Sequence, residues 1–163
     1  MTCEIINTFI GISAITTIFF ISWMQIKYPN APFLSQAYYK LKNVYMYMFI
    51  FILIGAPIIS VSGFDLWFTL AAVSLMLVAT FPNYKKLWVN IPHSLFAFTA
   101  GACGFIGFYQ HTKFWQPIIP YVLISIWLYF RTKNPIKWIE ILTFVMIEVF
   151  IIMVFYCKEI INP

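Results

Sequence analysis

The stretch WIEILTFVMIEVFIIMVFY, residues 138–156, is apolar enough to cross a lipid bilayer, yet it carries two carboxylates, Glu140 and Glu148. A transmembrane helix needs about 20 mostly apolar residues, and this stretch approaches that length. The stretch therefore predicts a membrane-spanning helix. Its two acidic side chains raise the question of what a helix in hydrocarbon uses them for.

The composition of the whole chain predicts the same environment. Of the 163 residues, 63% are hydrophobic and 9% are charged, whereas soluble domains carry about 25% charged residues. A soluble protein of this size would lack the polar residues needed to cover its surface. The lipid bilayer is therefore the expected partner of most of the surface.

Five further apolar stretches are similar in composition, which predicts an all-α, polytopic helix bundle with six spans in a single domain, residues 1–163. The predicted spans are 5–23, 44–62, 65–81, 92–109, 116–130 and 138–156. The fifth is the shortest, so a tilted helix in a thinned bilayer and a re-entrant segment both stay open. Pro57 lies inside the second span and predicts a kink there.

The basic residues predict the orientation of the bundle. Eight of the ten lie in the loops after the first, third and fifth spans: Lys27, Lys40, Lys42, Lys85, Lys86, Arg131, Lys133 and Lys137. By the positive-inside rule these loops face the cytoplasm and both termini lie outside, as in a multi-pass protein of the inner (cytoplasmic) membrane. The net charge of +5 does not predict nucleic-acid binding, because the basic residues follow apolar spans rather than a polar face.

Glu148 is the first candidate for a functional residue. At about 1.5 Å per residue it lies roughly 16 Å beyond Lys137, near the middle of the bilayer. A charge there costs about 2.5 to 3.5 kcal/mol on insertion scales, so Glu148 is expected to face the bundle and to be paired or protonated. A site for a proton, a cation or a lipid headgroup stays open beside a protonated carboxyl that only joins helices. Hydroxyl groups at similar depth belong to Ser13, Thr16, Thr17, Ser74 and Ser125.

A second polar group is predicted at the cytoplasmic mouth of the bundle. Glu140 lies one turn into the sixth span, where it can reach the interface and pair with Lys133, Lys137 or Lys86. His93 opens the fourth span at similar depth and can bond to Glu140 if the two helices are neighbours, with Ser35 and Tyr39 joining from a loop. His93 and Glu140 are the candidates if a metal binds, but the other histidine, His111, is predicted on the opposite side. An interfacial, hydrogen-bonded histidine is the simpler account.

The fourth span contains SLFAFTAGACGFIGF, residues 94–108, in which small residues recur four apart. Such spacing lets neighbouring backbones approach closely. Packing within the chain is the simpler expectation, and a homo-oligomer formed through Gly101, Gly104 and Gly107 is the alternative.

The chain lacks the usual catalytic motifs: GxSxG, HExxH, the P-loop and the dinucleotide fingerprint are absent from the sequence. Its three cysteines, Cys3, Cys103 and Cys157, show no CxxC spacing. We therefore expect no cofactor and lean towards a protein without enzymatic activity.

Three stretches carry a resemblance: PFLSQAYYKLK (32–42), LVATFPNYKKLWVNIPHSLFAFTAG (77–101) and KWIEILTFVMIEVF (137–150). In style they resemble the small multi-span membrane proteins of Bacteroidota and their phages. That group has no assigned activity, so the resemblance implies a bacterial or phage setting. The chain is more loosely similar to the ceramidase-like multi-span zinc hydrolases, from which it departs by lacking a histidine pair in the last helix and a seventh span.

Two functions follow from these patterns. The first is an intramembrane polar site, centred on Glu148 with Ser13 and Thr17, that binds or passes a proton, a cation or a lipid headgroup. The alternative is a metal-dependent membrane lipid hydrolase that uses His93, Glu140 and Ser35 at the cytoplasmic face. A purely structural subunit is the third possibility.

Overall fold

The computed structural model describes residues 3–31, 44–81 and 87–156, which form helices joined by short turns and contain no strand. Six α-helices are present in these ranges: α1 (Cys3–Lys27), α2 (Val44–Ser62), α3 (Leu66–Thr80), α4 (Leu87–Thr112), α5 (Ile118–Arg131) and α6 (Pro135–Ile151). A π-helical turn, Ile152–Tyr156, continues α6. The all-helical class predicted from the sequence is confirmed.

Four of these helices, α1, α2, α4 and α6 with its π turn, are long and apolar enough to cross a membrane. The helices α3 and α5 are also apolar but have 15 and 14 residues. At 1.5 Å per residue they measure about 22 and 21 Å, against roughly 30 Å of hydrocarbon. The chain therefore has the helices of a membrane protein, as its composition predicts.

The start of α4 differs from the prediction. The helix begins at Leu87 rather than at residue 92, so Pro92 lies inside it and not in its first turn. A proline inside a helix removes one backbone hydrogen bond. Membrane helices tolerate this loss when neighbouring groups satisfy the freed carbonyl, so Pro92 does not mark a boundary here.

Five of the helices form a closed ring. The helix α1 packs on α2, α2 on α3, α3 on α4, α4 on α6, and α6 returns to α1. The remaining helix, α5, packs on α6 and has no buried residue, so it lies outside the ring. Polar groups in the interior of the ring therefore come from α1, α2, α3, α4 and α6.

The ring has two ends, and we name each after a charged residue. At the Lys137 end α1 finishes and α6 begins. The Lys137 side chain is 1% exposed, and its Nζ donates to the carbonyl of Pro29 at 2.8 Å and, at 3.5 Å, to that of Tyr28. The sequence suggested Lys137 as one possible partner of Glu140. Its ammonium instead bonds to carbonyls of the turn after α1, where the Tyr28 carbonyl also accepts from the Ala31 amide at 3.0 Å.

At the Asp65 end α3 begins and α4 finishes. One oxygen of Asp65 accepts hydrogen bonds from the backbone amides of Trp67 and Phe68 at 3.0 and 3.2 Å, which caps α3. Its other oxygen lies 3.3 Å from Nε2 of His111. His111 is 18 residues beyond His93 on α4, so the two histidines lie about 27 Å apart along the helix.

Aromatic rings fill the interior at two levels. The Phe20 layer joins α1, α2 and α6, with ring centroids 4.8 to 6.4 Å apart; its members are Phe20, Tyr47, Phe51 and Phe144. The Phe150 layer joins α4 to α6, with the closest centroids 4.1 Å apart; its members are Phe105, Phe108 and Phe150. Along α6, Glu148 lies between these two layers.

Candidate functional site

Glu148 lies inside the ring, with 7% of its surface exposed. Its Oε1 is 2.7 Å from the Ser13 hydroxyl and 2.8 Å from the Thr17 hydroxyl. The Ser13 hydroxyl is in addition 3.0 Å from the backbone carbonyl oxygen of Ile54. These three contacts join α1, α2 and α6 at one point.

Counting hydrogen atoms indicates the protonation state of Glu148. Each of these oxygen–oxygen contacts is short enough for a hydrogen bond, which needs one hydrogen atom between the two oxygens. Ser13 and Thr17 supply one hydroxyl hydrogen each, and a carbonyl supplies none. If Glu148 is ionised, both hydroxyls donate to Oε1, and the contact between Ser13 and Ile54 has no hydrogen.

A protonated carboxyl satisfies all three contacts. In that state Thr17 donates to Oε1, the acidic hydrogen on Oε1 is donated to Ser13, and Ser13 donates to the Ile54 carbonyl. The second carboxyl oxygen, Oε2, is buried and has no hydrogen-bond partner in the described ranges. A buried oxygen without a donor costs far more on an ionised carboxylate than on a neutral carboxyl. Both observations fit a protonated Glu148.

The structure separates the hydroxyls that the sequence placed at similar depth. Ser13 and Thr17 contact Glu148 because α1 closes the ring against α6. Ser74 is buried on α3, and Ser125 lies on α5 with an Oγ that is buried and has no hydrogen-bond partner within the described chain. Depth along the helices therefore predicted which hydroxyls could reach Glu148. The order of the helices around the ring determines which of them contact it.

A cavity of about 330 Å³ lies in the ring towards the Lys137 end, between α2, α3, α4 and α6. His93 and Glu140, which the sequence suggested as neighbours at the cytoplasmic mouth, both line it. Ser35 and Tyr39, the other members of that predicted group, lie outside the described residues. Among the described residues, the cavity therefore brings His93 of α4 and Glu140 of α6 to a common wall.

His93 is buried, and its Nδ1 lies 2.7 Å from the backbone carbonyl oxygen of Phe81. A carbonyl can only accept, so Nδ1 carries the hydrogen and donates it. In the neutral ring Nε2 is then the acceptor. A neutral His93, which lines the cavity, therefore keeps Nε2 as an acceptor nitrogen.

These two residues do not make up a usual zinc site. A catalytic zinc site takes three protein ligands. The described ranges contain no group of three or more His, Cys, Asp and Glu residues that could hold a metal ion. His111 lies at the Asp65 end, where its Nε2 contacts Asp65. The cavity therefore supplies one imidazole and one carboxylate.

The glycines of α4 make contacts within the chain. A Cβ atom built at Gly101 would lie 3.7 Å from Thr143, and one at Gly104 would lie 3.6 Å from Ile147, both on α6. A Cβ at Gly107 would lie 3.2 Å from a side chain of α3. This helix thus packs on α6 and α3 through its small residues, and an oligomer formed through them stays a prediction.

Comparison of the chain with family models, with curated proteins and with solved structures finds no match. The resemblance to the multi-span proteins of Bacteroidota and their phages therefore stays a prediction.

The contacts of Glu148 predict unequal effects for its two hydroxyl partners. We expect Ser13→Ala to destabilise the protein more than Thr17→Val, because Ser13 contacts both Glu148 and Ile54. With roughly 0.6 kcal/mol for an average hydrogen bond inside a membrane, the losses are about 1.2 and 0.6 kcal/mol. Unfolding with sodium dodecyl sulfate in mixed micelles measures both. Thr16→Val, on the half-buried neighbour, is the matched control, and equal losses for Ser13→Ala and Thr17→Val would contradict the bridging role.

Proposed function

We propose that this chain is a multi-pass protein of the cytoplasmic membrane, with six spans and both termini outside, in which Glu148 binds a proton and passes it across the bilayer. The observation that carries the proposal is the hydrogen count at Glu148. Its contacts with Ser13 and Thr17, and the contact of Ser13 with Ile54, are all satisfied when the carboxyl is protonated. The Glu148 side chain lies between two aromatic layers near the predicted middle of the membrane.

The Ser13 hydroxyl supports exchange of this proton because it has two acceptors within reach, Oε1 of Glu148 and the carbonyl of Ile54. When Glu148 is protonated, Ser13 donates to Ile54. When the proton leaves, rotation of the hydroxyl lets Ser13 join Thr17 in donating to the carboxylate. Hydrogen bonds to a charged group contribute about 1.5 to 3 kcal/mol each, so the ionised state is also stabilised.

Two features favour a proton over a metal ion or a lipid headgroup as the ligand of Glu148. The oxygens of Glu148, Ser13 and Thr17 are in direct hydrogen-bonding contact at 2.7 to 2.8 Å, which leaves no space between them for a metal ion. The burial of Glu148 keeps it from a lipid headgroup. A carboxyl that only joins helices would make the same contacts but move no proton, so a measurement of proton movement separates the two roles.

Infrared difference spectroscopy on the protein in lipid nanodiscs tests the proposal. A protonated carboxyl has a C=O stretching band that shifts when H₂O is replaced by D₂O. We expect this band at neutral pH in the wild type, and we expect Glu148→Gln to remove it. Glu140→Gln is the matched control and should retain the component that Glu148→Gln removes. A band that Glu148→Gln leaves intact, or that never responds to D₂O, would show that Glu148 holds no exchangeable proton.

A metal-dependent lipid hydrolase that uses His93, Glu140 and Ser35 is the alternative. It is supported by the shared cavity and by the acceptor nitrogen of His93, which is the form of histidine that binds zinc. The described ligands fall one short of the usual three, which favours the proton site. Stoichiometric zinc in the purified protein, lost in His93→Ala and kept in Glu148→Gln, would reverse that preference.

A further inference from the structure

The cavity towards the Lys137 end has walls that suit one kind of molecule. Three members of the Phe20 layer, Tyr47, Phe51 and Phe144, line it, and most of the remaining wall is aliphatic. The faces of aromatic rings attract cations, and they attract them more strongly where water is excluded. The walls therefore favour an occupant with an apolar body and a positive charge.

Two polar groups in the wall, His93 and Thr143, act as acceptors. His93 presents Nε2 as the acceptor, because its Nδ1 hydrogen is donated to Phe81. The hydroxyl of Thr143 donates its own hydrogen to the carbonyl of Ile139 at 2.8 Å, so at its 2.9 Å contact with Tyr121 it accepts. Neither group retains a hydrogen for an occupant. An occupant must therefore bring its own donors to bond to either of them.

Glu140 adds an acidic group to the same wall. A carboxylate has two oxygens with about four acceptor positions, so it can hold a ligand beside any donor from the protein. A primary ammonium group has three donors and a positive charge, which matches Glu140 and His93 together. A carboxylic acid or a phosphate would be repelled by Glu140 and would find no donor on His93.

We propose that this cavity binds an amphipathic primary amine, with its ammonium group between Glu140 and His93 and its apolar part against Phe51 and Phe144. The volume of about 330 Å³ falls at the small end of ligand pockets, which run from about 300 to 1,000 Å³. That volume suits an arylalkylamine or a short alkylamine. The proposal goes beyond proton binding at Glu148 and does not depend on it.

The route of entry fits the same class of molecule. Ser94 and Ala97 of α4 and Ile136 of α6 are exposed and also line the cavity, so it opens between these two helices. This opening lies near the predicted cytoplasmic interface of the bilayer. Amphipathic cations gather at such interfaces with the apolar part in lipid and the charge in water.

Calorimetric titration of the protein in nanodiscs, with 4-phenylbutylamine as the probe and 4-phenylbutanol as its neutral counterpart, tests the proposal. Titration of empty nanodiscs gives the partitioning heat to be subtracted. We expect saturable binding of the amine, with the alcohol at least about tenfold weaker, since one charge-assisted hydrogen bond is worth that factor. Equal affinities, or no saturable heat beyond partitioning, would overturn the proposal without requiring any variant.

Variants place the probe in this cavity. Glu140→Gln is expected to weaken binding of the amine by about tenfold and to leave that of the alcohol unchanged. Ala97→Phe, which fills the opening, should remove binding of both probes. Glu148→Gln is the matched control and should bind the amine as the wild type does, which separates this test from the test of proton binding. Wild-type affinity in Ala97→Phe, or lost affinity in Glu148→Gln, would show that the amine binds elsewhere.

Discussion

Replacing Glu148 by glutamine is expected to stop proton movement through this protein. Glutamine has nearly the same shape as a protonated glutamate, but its amide does not release a proton at neutral pH. In liposomes that contain a pH-sensitive dye and carry a valinomycin-clamped potassium gradient, the wild type should change the internal pH faster than protein-free liposomes. Glu148→Gln should fall to the protein-free rate.

Two controls make this result specific. Glu140→Gln changes the other carboxylate of α6 and should keep the wild-type rate. The free energy of unfolding of Glu148→Gln should fall by no more than about 1.5 kcal/mol, because an amide nitrogen in the place of Oε1 can donate to Ser13 and Thr17 while Ser13 donates to Ile54. A Glu148→Gln protein that moves protons as the wild type does would reduce Glu148 to a contact between helices.

Gly55→Val is expected to cause the largest loss of stability among the variants considered. A Cβ atom at Gly55 would lie 2.9 Å from Cγ of Met76 and 3.1 Å from the carbonyl oxygen of Ala72, well inside the usual 3.5 to 4.0 Å between carbon atoms. Valine would push α2 away from α3 and displace the neighbouring Ile54 carbonyl, which Ser13 contacts. We expect a loss of about 3 kcal/mol, the upper end of the usual range for overpacking.

Gly11→Val is the matched control, because a Cβ at Gly11 would meet no atom within 4 Å. It should retain the stability of the wild type, with a small gain because glycine is a poor helix former. Thermal unfolding in detergent, followed by tryptophan fluorescence, compares the two variants. Similar melting temperatures for both would mean that α2 and α3 are not packed as closely as the structure places them.

The sequence predicted the class of fold better than the arrangement of helices. The apolar stretches and the scarcity of charge indicated helices in lipid, and these properties depend only on composition. The position of α5 outside the ring was not predictable in this way. Apolar faces are satisfied equally by lipid and by protein inside a bilayer, so the hydrophobic pattern does not distinguish a peripheral helix from a central one.

The same limit applies to the candidate sites. The spacing along α6 set the depth of Glu148 and selected a group of hydroxyls, but the neighbours depend on which helices touch. Ser13 and Thr17 contact Glu148 because α1 lies beside α6. Lys137 illustrates the reverse case. The sequence placed Lys137 among the basic loop residues. Its side chain is buried because the packing of α1 on α6 brings the turn at Pro29 next to it.

Closure of the ring between its first and last helices has a consequence for biogenesis. Ser13 and Glu148 are 135 residues apart, so α6 is the last ring helix to leave the ribosome and enter the membrane, when α1 is already in place. Hydrogen bonds with the Ser13 and Thr17 hydroxyls of α1, which is synthesised before the other ring helices, then reduce the cost of placing a carboxyl in hydrocarbon. A chain whose synthesis stops before α6 would leave the ring open beside α1. We expect membrane quality control to recognise this incomplete form.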